Sequence, residues 1–290
     1  MRPFLALDTA TDHLALGLGD LDDAGQVLAA HDEPAPRAAN TVLLALVERL
    51  LTEAGLIPSD LVAVACGRGP GSFTGVRIGV ATAKGLAHGL GVPLVGLSTL
   101  DAVAWRANAD GFVGVLGDAM RGEVYPALYR VHAGNVERLT IDRVARPEDV
   151  ADEWADLDEQ LILTGNGLAK HRAVFEAALG SMAVVASERQ WVPNGHGLIR
   201  AAWASSSVPS LGTVAARDRA AAFDLAHPSM LLPVYTRLAD AEEAERVRLG
   251  AVVPLPDVGV AGPPPATGNA GASRADGDDA DSQDTGKDRT

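Results

Sequence analysis

Residues 67–90, GRGPGSFTGVRIGVATAKGLAHGL, constrain this chain more than any other segment. An apolar run from Leu61 to Cys66 feeds a loop carrying Gly67, Gly69, Gly71 and Gly75 around Pro70, and a long helical pattern follows. Strand, glycine loop and helix in that order leave backbone N–H groups at a positive helix end, a geometry suited to anions. The loop still matches neither standard phosphate code. A Walker A loop ends in Gly-Lys-Ser/Thr, whereas Val76 and Arg77 follow Gly75. The dinucleotide pattern fails because Gly69-x-Gly71-x-x is completed by Thr74 and not by glycine. The loop can meet a phosphate or carboxylate, but the code of a nucleotide enzyme is absent.

The helix after the loop is unusual in a second way. Gly75, Gly79, Ala83 and Ala87 recur every four residues, so one face is nearly bare backbone. Glycine costs about 1 kcal/mol against alanine in a helix interior, and Gly85 and Gly89 add to it. Close approach of another element would offset that cost, because side-chain size sets interaxial distance. The neighbour is either the protein's own sheet or a helix of another molecule, and spacing alone leaves both open.

With 290 residues and 47% hydrophobic content, the chain has room for two domains with real cores. No apolar run approaches a membrane span. Met1-Arg2-Pro3-Phe4-Leu5-Ala6-Leu7-Asp8 meets charge too soon for a signal peptide. Cys66 is the only cysteine, which excludes an intrachain disulfide and argues for the cytoplasm. The formal charge is −14. Residues 251–290 hold seven Asp against three Lys or Arg, so the first 250 residues still carry −10. Nucleic-acid binding rests largely on basic surface, and aromatics for base stacking are only 4%. Any contact with RNA is therefore expected through a basic partner.

Phe4–Thr9, His13–Gly19 and Gln26–His31 read as an antiparallel meander, with Leu14, Leu16 and Leu18 alternating at period two. A helix over Asn40–Ala54 stops at Gly55. The strand at 61–66, the glycine loop and its helix follow, then a strand at Pro93–Leu97. Ser98 with Asp101 resembles a capping box for a helix toward Ala107. From Gly111 the plan repeats: Phe112–Gly117 and Glu123–Arg130 flank a turn, and Val136–Asp142 reads as a third strand. Leu161–Thr164 then leads through Gly165-Asn166-Gly167 into a helix ending at Leu179. Helical stretches near 196–206 and 213–226 precede Leu231–Arg237. Residues 250–290 are rich in Pro, Gly, Ala, Asp and Ser without periodicity, and are expected to be disordered. The pattern predicts a duplicated α/β architecture of the actin-like and sugar-kinase-like plan. Its lobes are expected at 1–110 and 111–249, with a cleft between them.

In a two-lobed kinase, acidic residues ending the first strands hold metal and phosphate. Asp8 and Asp118 stand at equivalent turns and are the candidates, although Asp is also an ordinary turn former. The second turn, Asp118-Ala119-Met120-Arg121-Gly122, supplies one late glycine where close phosphate approach wants adjacent ones. No two histidines are four residues apart, so a helical zinc pair is missing. Ser72 and Thr74 lack a nucleophile elbow and suit helix capping better. No catalytic set emerges. The remaining anion or nucleotide candidates are Asp8, Gly69, Gly71, Ser72, Thr74, Arg77 and Asp118.

Four segments resemble the bacterial TsaB family. They are Phe4–Thr9, Gly67–Arg77, Asp118 with Arg121-Gly122-Glu123-Val124-Tyr125, and Pro233-Val234-Tyr235 with Arg237. The likeness spans about residues 1–238, and the glycine-loop motif is its most specific part. It implies an actin-like fold and a non-catalytic subunit in forming threonylcarbamoyladenosine at position 37 of tRNAs that read codons beginning with A. It further implies binding to the metal-bearing catalytic paralogue TsaD, with the ATPase TsaE as a further partner, self-pairing, and tRNA contact only through the complex. No intrinsic cofactor or metal is implied, but ATP or ADP at the complex interface is. By position the interface would use Val42, Leu43, Leu46 and Glu48 of the first helix. From the second it would use Gly75, Val76, Gly79, Val80 and Ala83. The chain departs from the family at Arg37–Thr41, where relatives often carry a His-Ser-Glu-like segment. The rival readings are a nucleotide-binding regulator and, behind it, a small-molecule kinase.

Overall fold

The computed structural model describes residues 1–34, 39–107, 109–205 and 231–234. The first lobe contains β1 (Pro3–Asp8), β2 (His13–Asp20), β3 (Gln26–Pro34), α1 (Ala39–Glu53), β4 (Ala63–Gly67), α2 (Phe73–Leu90) and β5 (Leu94–Leu97). Helix α3 (Thr99–Ala107) leads to β6 (Gly111–Asp118), β7 (Val124–His132), β8 (Asn135–Arg138), α4 (Pro147–Ala155), β9 (Leu161–Thr164), α5 (Leu168–Leu179), β10 (Ala183–Val185) and α6 (Gly195–Ala204).

The strands form two five-stranded sheets, ordered β3-β2-β1-β4-β5 and β8-β7-β6-β9-β10. In each, the first three strands run as an antiparallel meander, the fourth pairs parallel to the first, and the fifth pairs parallel to the fourth. One topology occurs twice, which defines the duplicated actin-like fold that the repeated pattern predicted.

Strand alternation sorts the core into layers. Leu5 and Leu7 of β1, with Leu14, Leu16 and Leu18 of β2, face α1 and α2. Phe4, Ala6 and Ala15 face α6 and Ala102 of α3 on the other side. Helix α3 turns Leu100, Val103, Ala104 and Ala107 toward Val113 and Val115 of β6. The outer face of the second sheet carries α4 and α5, with Trp154 and Phe175 at its centre. Helix α3 thus lies between the lobes and packs on both.

Several elements depart from the sequence expectation. Helix α4 and strand β10 were not anticipated. Helix α6 lies in the stretch expected to build the second lobe, but its contacts are with the first sheet. The strand expected at Val136–Asp142 ends at Arg138, because the Thr140 hydroxyl accepts the Leu128 N–H at 2.9 Å and ends the ladder. Of the stretch after 230, Leu231 enters the first core and Val234 N–H donates to the Arg68 carbonyl at 2.8 Å. The helix expected at 213–226, Tyr235 and Arg237, and the tail from 250 onward lie outside the described residues.

Candidate functional site

The glycine loop closes onto the first hairpin turn. A Cβ on Gly71 would overlap the Ala10 carbonyl oxygen, one on Gly75 the Thr9 carbonyl oxygen, and one on Gly67 the Asp8 carboxylate. Ser72 N–H donates to the Ala10 carbonyl at 2.6 Å, and the Thr9 hydroxyl donates to the Gly75 carbonyl at 2.6 Å. These glycines therefore admit the protein's own backbone. Ser72 caps α2 as its type predicts, its side chain accepting from Gly75 N–H at 3.3 Å. Ser72→Ala is expected to cost about 1 kcal/mol, measured by urea unfolding, with the fold unchanged.

The small-residue stripe has the same destination. Gly79 faces Thr9 Oγ1 and Leu7, and Ala83 and Ala87 are buried in the core beneath α1 and α2. The same packing draws most of the interface residues implied by the resemblance into the first lobe's own core. Leu43, Leu46, Val76, Gly79, Val80 and Ala83 are buried within the first lobe, and Gly75 is pressed on Thr9. Of the nine expected interface residues, Glu48 is exposed and Val42 and Gly75 are half-buried. The outward face instead presents Leu44, Ala45, Glu48 and Arg49 of α1 with Arg77, Ala81, Gly85 and His88 of α2. Cβ atoms at Gly85 and Gly89 would meet open space.

A cleft of about 810 Å³ lies between the lobes. Its walls include Ala10–Asp12, Pro70–Thr74, the start of α3, Gly117–Arg121, Gly165-Asn166 and Val234. Four of the seven anion candidates, Gly71, Ser72, Thr74 and Asp118, line it; Asp8, Gly69 and Arg77 do not.

Asp8 sits beneath the floor, fully buried. One carboxylate oxygen accepts from Ala10 N–H at 2.7 Å, and the other from the Thr99 hydroxyl at 2.6 Å. Burial raises its pKa from 3.8 to about 6, against the lowering effect of those two donors. Both of its carboxylate oxygens are thus engaged by the protein itself, and it forms no part of the cleft wall. Asp118 reaches the cleft, but its carboxylate accepts from Met120 N–H at 2.9 Å and pairs with Lys170 Nζ at 2.6 Å. Asn166 accepts the Asp118 N–H at 2.9 Å and so joins the two turns of the second lobe. The Arg77 guanidinium stacks 3.8 Å above the Phe73 ring at the cleft's edge. Burial, with the Asp8 charge adding, pushes the Cys66 thiol well above its usual range, so it is no nucleophile. Among the described residues no group of three His, Cys, Asp or Glu is placed to hold a metal, and no helix is long and apolar enough to cross a membrane.

Sequence reasoning missed Thr99, Asn166 and Lys170. Gly165-Asn166-Gly167 was legible as a turn, but nothing local marks Thr99 or Lys170 as partners of acids 91 and 52 residues away.

Fold and cleft define a two-lobed protein of the actin-like class whose turn carboxylates are held in internal contacts. Comparison narrows the class. Residues 31–245 match the family model described as tRNA N6-adenosine threonylcarbamoyltransferase, TsaD. The chain is 39% identical over 167 residues to the Escherichia coli tRNA threonylcarbamoyladenosine biosynthesis protein TsaB, covering 56% of this chain and 71% of that protein. It is 29% identical to the Bacillus subtilis protein of the same name over 239 residues, 82% of this chain and 95% of the relative. The crystal structure of YeaZ from Pseudomonas aeruginosa superposes with a TM-score of 0.63 at 29% identity, covering 81% of this chain and 100% of its own. The chain belongs to this threonylcarbamoyltransferase family and, within it, to the TsaB branch.

Proposed function

We propose that the protein works in tRNA threonylcarbamoyladenosine biosynthesis as a non-catalytic, cytoplasmic subunit that binds the catalytic paralogue TsaD. The observation that carries the non-catalytic part is the state of the two turn acids: Asp8 is buried under Thr99, and Asp118 is paired with Lys170. Asp8 is thereby closed off from a metal-bound phosphate, and Asp118 would have to give up Lys170 to hold one. Transfer to adenosine 37 of tRNAs that read codons beginning with A then belongs to the paralogue. The acidic balance of −14 favours tRNA contact through the complex and not through this chain. TsaE is a further partner, self-pairing competes with the heterodimer, and ATP or ADP acts at the complex interface.

The outward faces of α1 and α2 are the proposed contact. Leu44 is 59% exposed there, and Gly85 leaves room for a partner helix to approach closely. Gly85→Leu should therefore keep the isolated chain folded and abolish the heterodimer, read by size-exclusion with light scattering against the paralogue from the same cell. An undiminished complex would move the contact elsewhere. No complex for the wild type in any nucleotide state would overturn the subunit reading. The interlobe cleft favours the regulator as the second reading, and calorimetric titration of the isolated chain with ATP separates the two. ATP binding that survives Asp8→Ala would count against Asp8 as part of the nucleotide site.

A further inference from the structure

The lobes are joined by a polar cluster that neither the cleft nor the helix surface uses. Asp101, in the first turn of α3, accepts from the Tyr129 hydroxyl of β7 at 2.7 Å and from Arg138 Nη1 at 3.1 Å. Arg138 ends β8, and its Nη2 donates to Asp142 at 2.5 Å while Nε donates to the Thr140 carbonyl at 2.7 Å. One guanidinium therefore serves three acceptors on two segments of chain. Its side chain is only 23% exposed, with Asp101 at 32% and Asp142 at 19%.

The place of Asp101 gives the cluster its leverage. Two residues earlier, Thr99 is tied to the first lobe twice: its N–H donates to the Gly69 carbonyl at 2.9 Å, and its hydroxyl donates to Asp8. Between them Leu100 packs against Gly117, in the turn region of the second lobe, and lines the cleft. The first turn of α3 is thus anchored in one lobe at Thr99, gripped by the other at Asp101, and faces the cleft between. Apolar packing of α3 on both sheets is non-directional and tolerates rotation about the helix. A forked guanidinium held by several acceptors fixes orientation as well as distance.

We propose that Arg138 is an interlobe latch that fixes the aperture of the cleft by tying the first-lobe anchor of α3 to the β8 edge of the second lobe. Loss of Arg138 leaves Asp101 and Asp142 without their shared cation in a half-buried site, so the lobes separate there to hydrate them. The inference does not depend on the subunit reading and is tested on the isolated full chain.

Thr52→Cys in α1 and Ala173→Cys in α5 place spin labels on exposed positions of the two lobes, and buried Cys66 stays unlabelled. Electron–electron distance measurement should give one narrow distribution for this labelled parent. Adding Arg138→Met should introduce a second, longer distance at native helical content, and Asp142→Asn, which keeps the Asp101 contact, a smaller shift. An unchanged distribution in folded Arg138→Met would overturn the latch, since a merely structural role lowers the melting temperature without moving the lobes. Should Arg138→Met fail to fold, Asp101→Asn, which removes the charge that Arg138 grips on α3, decides the matter in its place, and an unshifted distance there would overturn the latch equally.

Discussion

Gly75→Ala is expected to bring the protein close to unfolding. The added methyl overlaps the Thr9 carbonyl oxygen, a backbone atom in the turn that follows β1, so no rotamer change relieves it. Helix α2 is pinned at that point by the Thr9 hydroxyl on the Gly75 carbonyl at 2.6 Å and by the Ser72 cap. The methyl must therefore push the helix off the sheet and open the contacts of Gly79 and Ala83 behind it. Overpacking that cannot relax exceeds the usual 1–3 kcal/mol, and about 4 kcal/mol is the expected loss here, a large share of an ordinary domain's stability. Gly85→Ala on the same helix, where a Cβ meets nothing within 4 Å, should instead stabilise by about 1 kcal/mol from helix propensity. Urea unfolding of the pair is the check. Equal effects at the two positions would mean that α2 does not seat on β1 as described.

The second large effect is a pH dependence centred on Asp8. Its folded pKa is raised from 3.8 to about 6, so the folded protein binds that proton more tightly than the unfolded chain does. The resulting stabilisation is fully present below pH 3.8 and is lost as pH rises through about 6. At about 1.4 kcal/mol per unit, the loss is on the order of 3 kcal/mol at neutral pH. Asp8→Asn removes the ionisation. An amide oxygen can still accept from Ala10 N–H, and the Thr99 hydroxyl can reverse its bond and accept from the amide N–H. The variant should match the wild type near pH 4 and exceed it by up to about 3 kcal/mol at pH 7.5. The difference between the two stability–pH curves isolates this group from other carboxylates. Parallel curves would show that Asp8 titrates normally.

The interface variant follows from the same geometry. A large residue at Gly79, the natural choice from spacing, would strike Thr9 and Leu7 and confuse misfolding with lost association. Gly85 separates the two.

Much of the fold was legible. Period-two alternation in Leu14, Leu16 and Leu18 located β2, and the strand–glycine–helix order located β4 and α2. Helix α4 also carries readable signals: Pro147 at its first position, Glu148 and Asp149 in its first turn, and Val150 four residues before Trp154. Strand β10, three residues long, carried too little pattern to read. Of the candidate cleft a small part was legible, through Gly71, Ser72, Thr74 and Asp118.

By itself the sequence determined the periodicities, the loop and caps, the twofold plan of the lobes and the motifs that carry family membership. These are properties of neighbours along the chain. Tertiary structure alone decided what covers each face. The stripe at Gly75, Gly79 and Ala83 states that something approaches closely, but only the assembled sheet shows that it is Thr9 and Leu7. Asp8 and Asp118 read alike at equivalent turns, yet Thr99 closes off the first and Lys170 pairs the second. Those partners come from distant segments, and spacing fixes which residues share a face, not which part of the chain will meet it.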